Sequence, residues 1–157
     1  MTIIALQHSL LDFTSMNLPN KTLQTAYYQA LNGNISYDGS NVPVYDIVPD
    51  GDNYPYILLG SQNVVEDVSK DDFGTEIVMD IDVVTGFEGA FGGKSQVYDI
   101  SDDVVNAIRT RTANYLSLSG FTMVTTTLDS SIALQELTET HVLYINKLRF
   151  RHKIQQD

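Results

Sequence analysis

Three groups of residues carry chemical potential by type and spacing. The first is Phe87-Glu88-Gly89-Ala90-Phe91-Gly92-Gly93-Lys94-Ser95, between an expected strand and an expected helix. Its Gly-Lys-Ser ending matches the close of a phosphate-binding loop, where backbone N–H groups cradle phosphate oxygens ahead of a helix. The glycine that must open such a loop is Glu88 here, and a carboxylate at that place repels phosphate. The segment therefore reads as a mobile loop on an antiparallel scaffold, or as one that orders against a partner with Phe87, Glu88, Phe91 and Lys94 as contact residues. The second group is acidic turns. Asp50-Gly51-Asp52-Asn53, and Asp71-Asp72 with Glu76, resemble pieces of calcium loops, but neither has the twelve-residue spacing closed by a bidentate Glu. No metal site is assigned. The third group is His8, His141 and His152, which form no HExxH pair, and no Gly-x-Ser-x-Gly elbow supplies a nucleophile. No catalytic residue and no cofactor follow, so the expected mode of action is contact and the chain is not read as an enzyme.

The charge supports a similar exclusion. The 157 residues carry 20 Asp+Glu against 9 Lys+Arg, a formal charge of -11, which disfavours wholesale binding to DNA or to an anionic membrane. No cysteine is present, which removes disulfides, thiolate nucleophiles and Cys-based zinc sites and fits a reducing compartment. No apolar run reaches the roughly 18 residues of a membrane helix, and residues 1–13 lack the basic start of a signal peptide. A mature chain made and used in the cytoplasm is expected. Hydrophobic residues at 43% are enough for a folded core. The imbalance is local: residues 38–103 hold 15 acids against Lys70 and Lys94, whereas residues 147–157 hold four bases against Asp157.

The elements that must position these residues are legible from periodicity. Leu23, Ala26, Tyr27, Ala30 and Leu31 recur at helical spacing and predict a helix over 20–31, with Asn20 as its cap and Gly33 at its end. Residues 42–48 predict a short strand, stopped by Pro49-Asp50-Gly51. Residues 54–65 and 75–84 predict a hairpin across the acidic turn 66–74. Val97, Ile100, Val104 and Ile108 predict a second helix over 94–109, with Ser101-Asp102-Asp103 as an alternative start. Residues 122–128 and 141–154 predict two more strands. The expected fold class is α+β, a mostly antiparallel β-sheet of four to five strands flanked by two main helices on one side. No repeat or linker divides the chain, so one domain over 1–157 is expected, with 1–18 as an N-terminal extension or extra element.

Two strands carry opposite ladders. Ile77, Met79, Ile81 and Val83 alternate with Glu76, Asp80 and Asp82, the pattern of a half-buried antiparallel strand. Val142, Tyr144, Leu148, Phe150 and Ile154 share a face interrupted by Asn146 and His152, while Lys147, Arg149, Arg151 and Lys153 share the other. On one side of one sheet the ladders pair across strands; on different subunits they become an interface code; the plainest reading is a solvated sheet face.

The order of pieces resembles a known family. The helix at 23–31, the Val42-Pro43-Val44-Tyr45 segment, the Tyr54-Pro55-Tyr56-Ile57-Leu58-Leu59-Gly60 strand, the alternating strand, the helix at 97–108 and the Leu148-Arg149-Phe150-Arg151 ending are similar to the tail completion, or tail terminator, proteins of long-tailed bacteriophages. The resemblance spans about 23–151. It departs from the family pattern before Pro19 and at Val84-Thr85-Gly86, where the family commonly has an aromatic. It implies a structural virion protein at the tail-neck, assembled in the host bacterial cytoplasm. Its partners would be itself, as a homo-hexamer, the tail tube protein, and the head-tail connector or stopper. DNA would pass through the lumen without specific binding, and no membrane would be involved. On this reading Lys147, Arg149, Arg151, Glu76, Asp80 and Asp82 are subunit-interface residues. Glu66, Asp67, Asp71 and Asp72 face the lumen or the tube. The competing readings are another neck or tail component of similar fold, such as a head completion or minor tail protein, and an unrelated small ligand-binding domain.

Overall fold

The uninterrupted alternation around Ile81 becomes the middle of the sheet. A computed structural model describes residues 15–51, 53–67, 72–89, 92–110 and 115–157. The expected residues 1–14, Asp71 and Phe91 lie outside the described residues. In chain order the elements are α1 (Asn20–Leu31), β1 (Ser36–Tyr37), β2 (Ser40–Asn41), β3 (Val44–Tyr45), β4 (Tyr56–Glu66), β5 (Gly74–Glu88), α2 (Ser95–Ile108), β6 (Phe121–Leu137) and β7 (His141–Gln156). β1 and β2 form a small antiparallel pair turned by Asp38 and Gly39, both at positive φ, as a tight Asp-Gly hairpin demands. The main sheet runs β3-β4-β5-β7-β6, antiparallel except for the parallel β3/β4 pair. The expected α+β class is observed.

Both helices cover one face. Leu23, Tyr27 and Leu31 of α1 and Val97, Ile100, Val104 and Ile108 of α2 are fully buried. They join Ile77, Met79, Ile81 and Val83 of β5 and Leu148, Phe150 and Ile154 of β7 in one core. Burying a side chain of this size is worth roughly 1.5–3 kcal/mol, so this stripe-on-sheet contact dominates the fold energy.

Several boundaries differ from expectation for local physical reasons. Asn20 does not cap α1; Pro19 precedes the helix, and the Asn20 amide donates to Gln62 Oε1 on β4 at 3.0 Å. The strand expected over 42–48 shrinks to Val44–Tyr45, because Pro43 has no N–H to give and Ile47 and Val48 turn out into solvent. β5 continues to Glu88, so Phe87 and Glu88 belong to the strand rather than to the glycine loop. Ser101-Asp102-Asp103 lies inside α2, where the buried Ser101 hydroxyl donates to the Val97 carbonyl at 2.6 Å. β6 runs nine residues past the expected stop at Leu128. Its register shifts between Met123 and Thr125 and between Leu128 and Ser130. Each bulge advances the alternation by one residue and hides the strand from a period-two reading.

Candidate functional site

The face of the sheet opposite the helices is where the sequence places its charge, and β7 organises it. Antiparallel register sets Asp80 opposite Arg149 and Asp82 opposite Lys147. Arg149 grips Asp80 with two donors, Nε to Oδ1 at 2.8 Å and Nη2 to Oδ2 at 3.2 Å. Ser61 on β4 donates to the same carboxylate at 3.0 Å. Lys147 Nζ reaches Asp82 Oδ2 at 3.1 Å, and Lys153 Nζ reaches Asp67 Oδ2 at 3.4 Å. Arg151 bridges two strands: it pairs with Glu76 on β5 and, at 2.7 Å, with Asp129 on β6. The Arg149 hydrogen bond holds the Asp80 carboxyl below its ordinary range, and the Asp80 hydrogen bond in turn raises Arg149. Hydrogen bonds from Asp129 and then Glu76 raise Arg151.

The acidic and basic ladders thus share one sheet face and pair within the chain. Among the described residues four bases meet five acids there, so that part of the face is close to neutral within a strongly acidic protein. Asp129 was not anticipated as a ladder member. It is the extra residue of a β6 bulge, and the bulge aims its carboxylate at Arg151. A shallow hollow of about 290 Å³ lies over this rack, lined by Gly60, Ser61, Asp80, Asp82, Lys147 and Arg149. Its charged groups are already engaged with one another. Gly60 is required beneath it, since a Cβ there would come within 2.8 Å of the Asp80 carbonyl oxygen.

Towards the other end of the same face, charge gives way to aromatic rings. Tyr54 stacks on Tyr56 at 5.7 Å and tilts against His141 at 5.4 Å, and Tyr45 meets Tyr56 edge-on at 6.0 Å. Tyr54 lies directly over Gly86, where an added Cβ would come within 2.4 Å of its ring. Tyr54 fills the space that a side chain at position 86 would claim. His141 begins β7, with Nδ1 2.8 Å from the Thr140 hydroxyl, and takes part in this aromatic cluster.

The two loop clusters sit at opposite ends of β5. Glu66 ends β4, Asp67 pairs with Lys153, and Asp72 is exposed just before β5 begins. Phe87 and Glu88 end β5, with the Phe87 ring 6.1 Å from Tyr144, and Lys94 precedes α2. A strand of 15 residues separates the two clusters by roughly 45–50 Å. The glycine loop follows a strand that is antiparallel to both neighbours, so it lacks the parallel strand–loop–helix frame of a nucleotide site. Among the described residues no group of three or more His, Asp or Glu could hold a metal. Among them, too, no helix is long and apolar enough to cross a membrane.

Two polar clusters on the helix-covered face escaped sequence reasoning. Asn146 donates to the Ser101 hydroxyl on α2 at 3.0 Å and accepts from Ser131 on β6 at 2.9 Å. His152 lies between the Tyr27 hydroxyl on α1, at 2.5 Å, and the Thr126 hydroxyl on β6, at 3.0 Å. Asn146 and His152 are the two interruptions of the apolar face of β7. The signal that could have found their partners is a matching interruption elsewhere: Ser101 occupies the buried stripe of α2.

Set beside known proteins, the chain matches the model of the family described as "Tail completion protein gp17" over residues 28–151. No curated protein matches the sequence. A chain in the solved "Virion of native gene transfer agent (GTA) particle" superposes with a TM-score of 0.69 at 23% identity, covering 89% of this chain and 99% of that one. At that identity the likeness speaks for the fold.

Proposed function

Because the chain belongs to the tail completion protein gp17 family, and so is a structural protein of a phage-type tail, we propose that it is the tail terminator. In this reading copies of the chain close into a hexameric ring on the end of the tail tube. The ring stops polymerisation and presents the joint for the head connector or stopper. The protein works by binding, without catalysis, and assembles in the host cytoplasm.

The observation that carries the reading is the distribution of unsatisfied surface around one sheet. A ring that closes head-to-tail needs two different patches on opposite flanks of the subunit. One flank is β6, an edge strand of 17 residues with Val124, Leu128, Ile132, Leu134 and Leu137 exposed. It contains no Lys or Arg, the residues that natural edge strands use against unwanted pairing. The other flank is the two-residue β3 edge, beside which Tyr28, Ile47 and Val48 are exposed. Axial partners need surfaces at the two ends, and the loop clusters occupy them. Glu66, Asp67, Asp71 and Asp72 are assigned to the lumen or tube, and Phe87, Glu88, Phe91 and Lys94 to the connector side. Acidic residues around a lumen let DNA slide past. The ladder of Glu76, Asp80, Asp82, Lys147, Arg149 and Arg151 is assigned to the subunit interface, as a rigid, internally neutral rack on which a neighbour can seat.

The test is electron microscopy of particles made without this gene. Overlong tails lacking heads are the expected result. Tails of normal length would overturn termination, and normal tails on intact heads would overturn any role in joining. The interface assignment has its own test: the double variant Arg149→Glu, Arg151→Glu should abolish ring formation on tubes, and rings of normal occupancy would remove the ladder from the interface.

A further inference from the structure

His152 and Asn146 perform parallel tasks, each tying a helix and β6 to the same strand, yet only one of them can change its charge. We propose that the Tyr27–His152–Thr126 chain is a proton-operated latch, which holds α1 on the sheet while the imidazole is neutral and releases it when the imidazole is charged. The hydrogen-bond inventory sets the mechanism. A neutral imidazole has one donor nitrogen and one acceptor nitrogen, so one hydroxyl accepts from it and the other donates to it. A charged imidazolium has two donors. Both hydroxyls must then accept, and the O–H that had pointed at the ring must find another acceptor inside an apolar core.

Among the described residues the surroundings offer no counter-charge, and the buried hydroxyl without a hydrogen-bond partner, that of Thr75, stands opposite Ile154 rather than His152. His152 and Tyr27 are fully buried, with rings 5.5 Å apart, and Phe150 stacks near the imidazole. On β5, Ile77 stands opposite His152, and on β6, Thr126 does. From α1 the facing residues are Tyr27 and its apolar neighbours Leu23 and Leu31, and α2 contributes Val97, Ile100, Val104 and Ile108 to the same core. Tyr27 is the single other titratable group among these, and burial raises its pKa, so it remains a neutral phenol. Arg151 and Lys153 flank His152 in sequence but belong to the opposite sheet face, where Glu76, Asp129 and Asp67 engage them. Asp99, Asp102 and Asp103 are on the exposed side of α2.

Burial lowers the His152 pKa from 6.5 to about 4. Above pH 6.5 the imidazole is neutral whether α1 is docked or released, and the latch is at full strength. As pH falls towards 4 the released state takes up the proton first, so docking weakens across that window. The loss amounts to roughly 300-fold in the docked-to-released ratio, ten-fold for each pH unit between the two pKa values. The Asn146–Ser101 tie on α2 has no titratable group and provides an internal reference. Because α1 carries Tyr28 beside the β3 edge, an open latch also dismantles that flank of the subunit.

The experiment is amide hydrogen exchange on the full chain from pH 7.5 to 4, with protection of 20–31 expressed relative to protection of 95–108 to cancel the intrinsic pH dependence. The ratio should fall by up to about 300-fold below pH 6.5 in the wild type, and His152→Gln, which hydrogen-bonds without titrating, should flatten the curve. A constant ratio in the wild type overturns the latch, as does an undiminished fall in His152→Gln. Should His152→Gln fail to fold, an NMR titration of the wild-type imidazole decides. Its midpoint should coincide with the loss of α1 protection, and a midpoint near 6.5 with α1 still protected overturns the proposal.

Discussion

β7 presents two faces built on opposite logic. Outward, Lys147, Arg149, Arg151 and Lys153 meet carboxylates in water, with the basic side chains between 41% and 52% exposed. Inward, Asn146, Leu148, Phe150 and His152 are at most 2% exposed. Exposed ion pairs contribute about 0–1 kcal/mol each, because the charges remain solvated and their long side chains must be ordered. A buried hydrogen-bonded group is different: removing one partner strands the other at a cost of about 1–3 kcal/mol. The conspicuous face is therefore the weaker one for stability. What the ladder supplies is shape and neutrality on one face of an acidic subunit, while the two inconspicuous polar residues bind both helices and the edge strand to the sheet.

Substitutions within five residues of β7 can break this comparison. Phe150→Ala should have the largest effect, since Phe150 is fully buried and packs edge-on against Tyr27 at 6.1 Å. The expected loss is about 3–5 kcal/mol in a denaturant titration, or failure to fold. Asn146→Ala should follow at about 1–3 kcal/mol, because it removes the donor to the buried Ser101 hydroxyl, whereas the exposed Ser131 hydroxyl turns to water. An Asn146→Ala loss smaller than that of an outward-face substitution would reverse the ranking and show that the rack, not the buried Asn146, secures β7.

The same contrast explains what the sequence could disclose. Strands with unbroken alternation were legible in their middles, because Ile77 to Val83 and Leu148 to Ile154 keep one phase throughout, although β5 runs four residues past its expected end to Glu88. β6 was seen only as far as Leu128, since bulges at Val124 and Asp129 reset the phase and Ile132, Ala133, Leu134 and Leu137 beyond them keep to no single period-two face. Charged ladders were visible by type, and their alternation settled that each occupied one face. Whether they paired with each other depended on β5 and β7 being neighbours in the sheet, a non-local fact that alternation does not encode. Asp129 was invisible for the same reason. The two buried polar clusters were harder still: Asn146 and His152 looked like defects in an apolar face, and only the packing of α1, α2 and β6 against β7 turns each defect into a hydrogen-bond centre. The family resemblance rested on the order of elements and survived these local errors, because element order is insensitive to where a strand ends.

Arg149→Ala is the smallest expected effect and the most discriminating. It removes a two-donor grip on Asp80, yet Ser61 still donates to that carboxylate and water can replace the rest. The loss in subunit stability should be the smallest of the three, and it should vanish near 1 M salt, where the screening length is about 3 Å. If the ladder seats a neighbouring subunit, ring formation on tubes should fall far more than this small loss accounts for, because an interface removes the water that keeps the pair weak in the free subunit and leaves Asp80 buried without its cation. Measuring both quantities on one variant separates the two roles of the outward face. A small stability loss with normal rings makes the ladder a solvated sheet face; a small loss with absent rings makes it the joint between subunits.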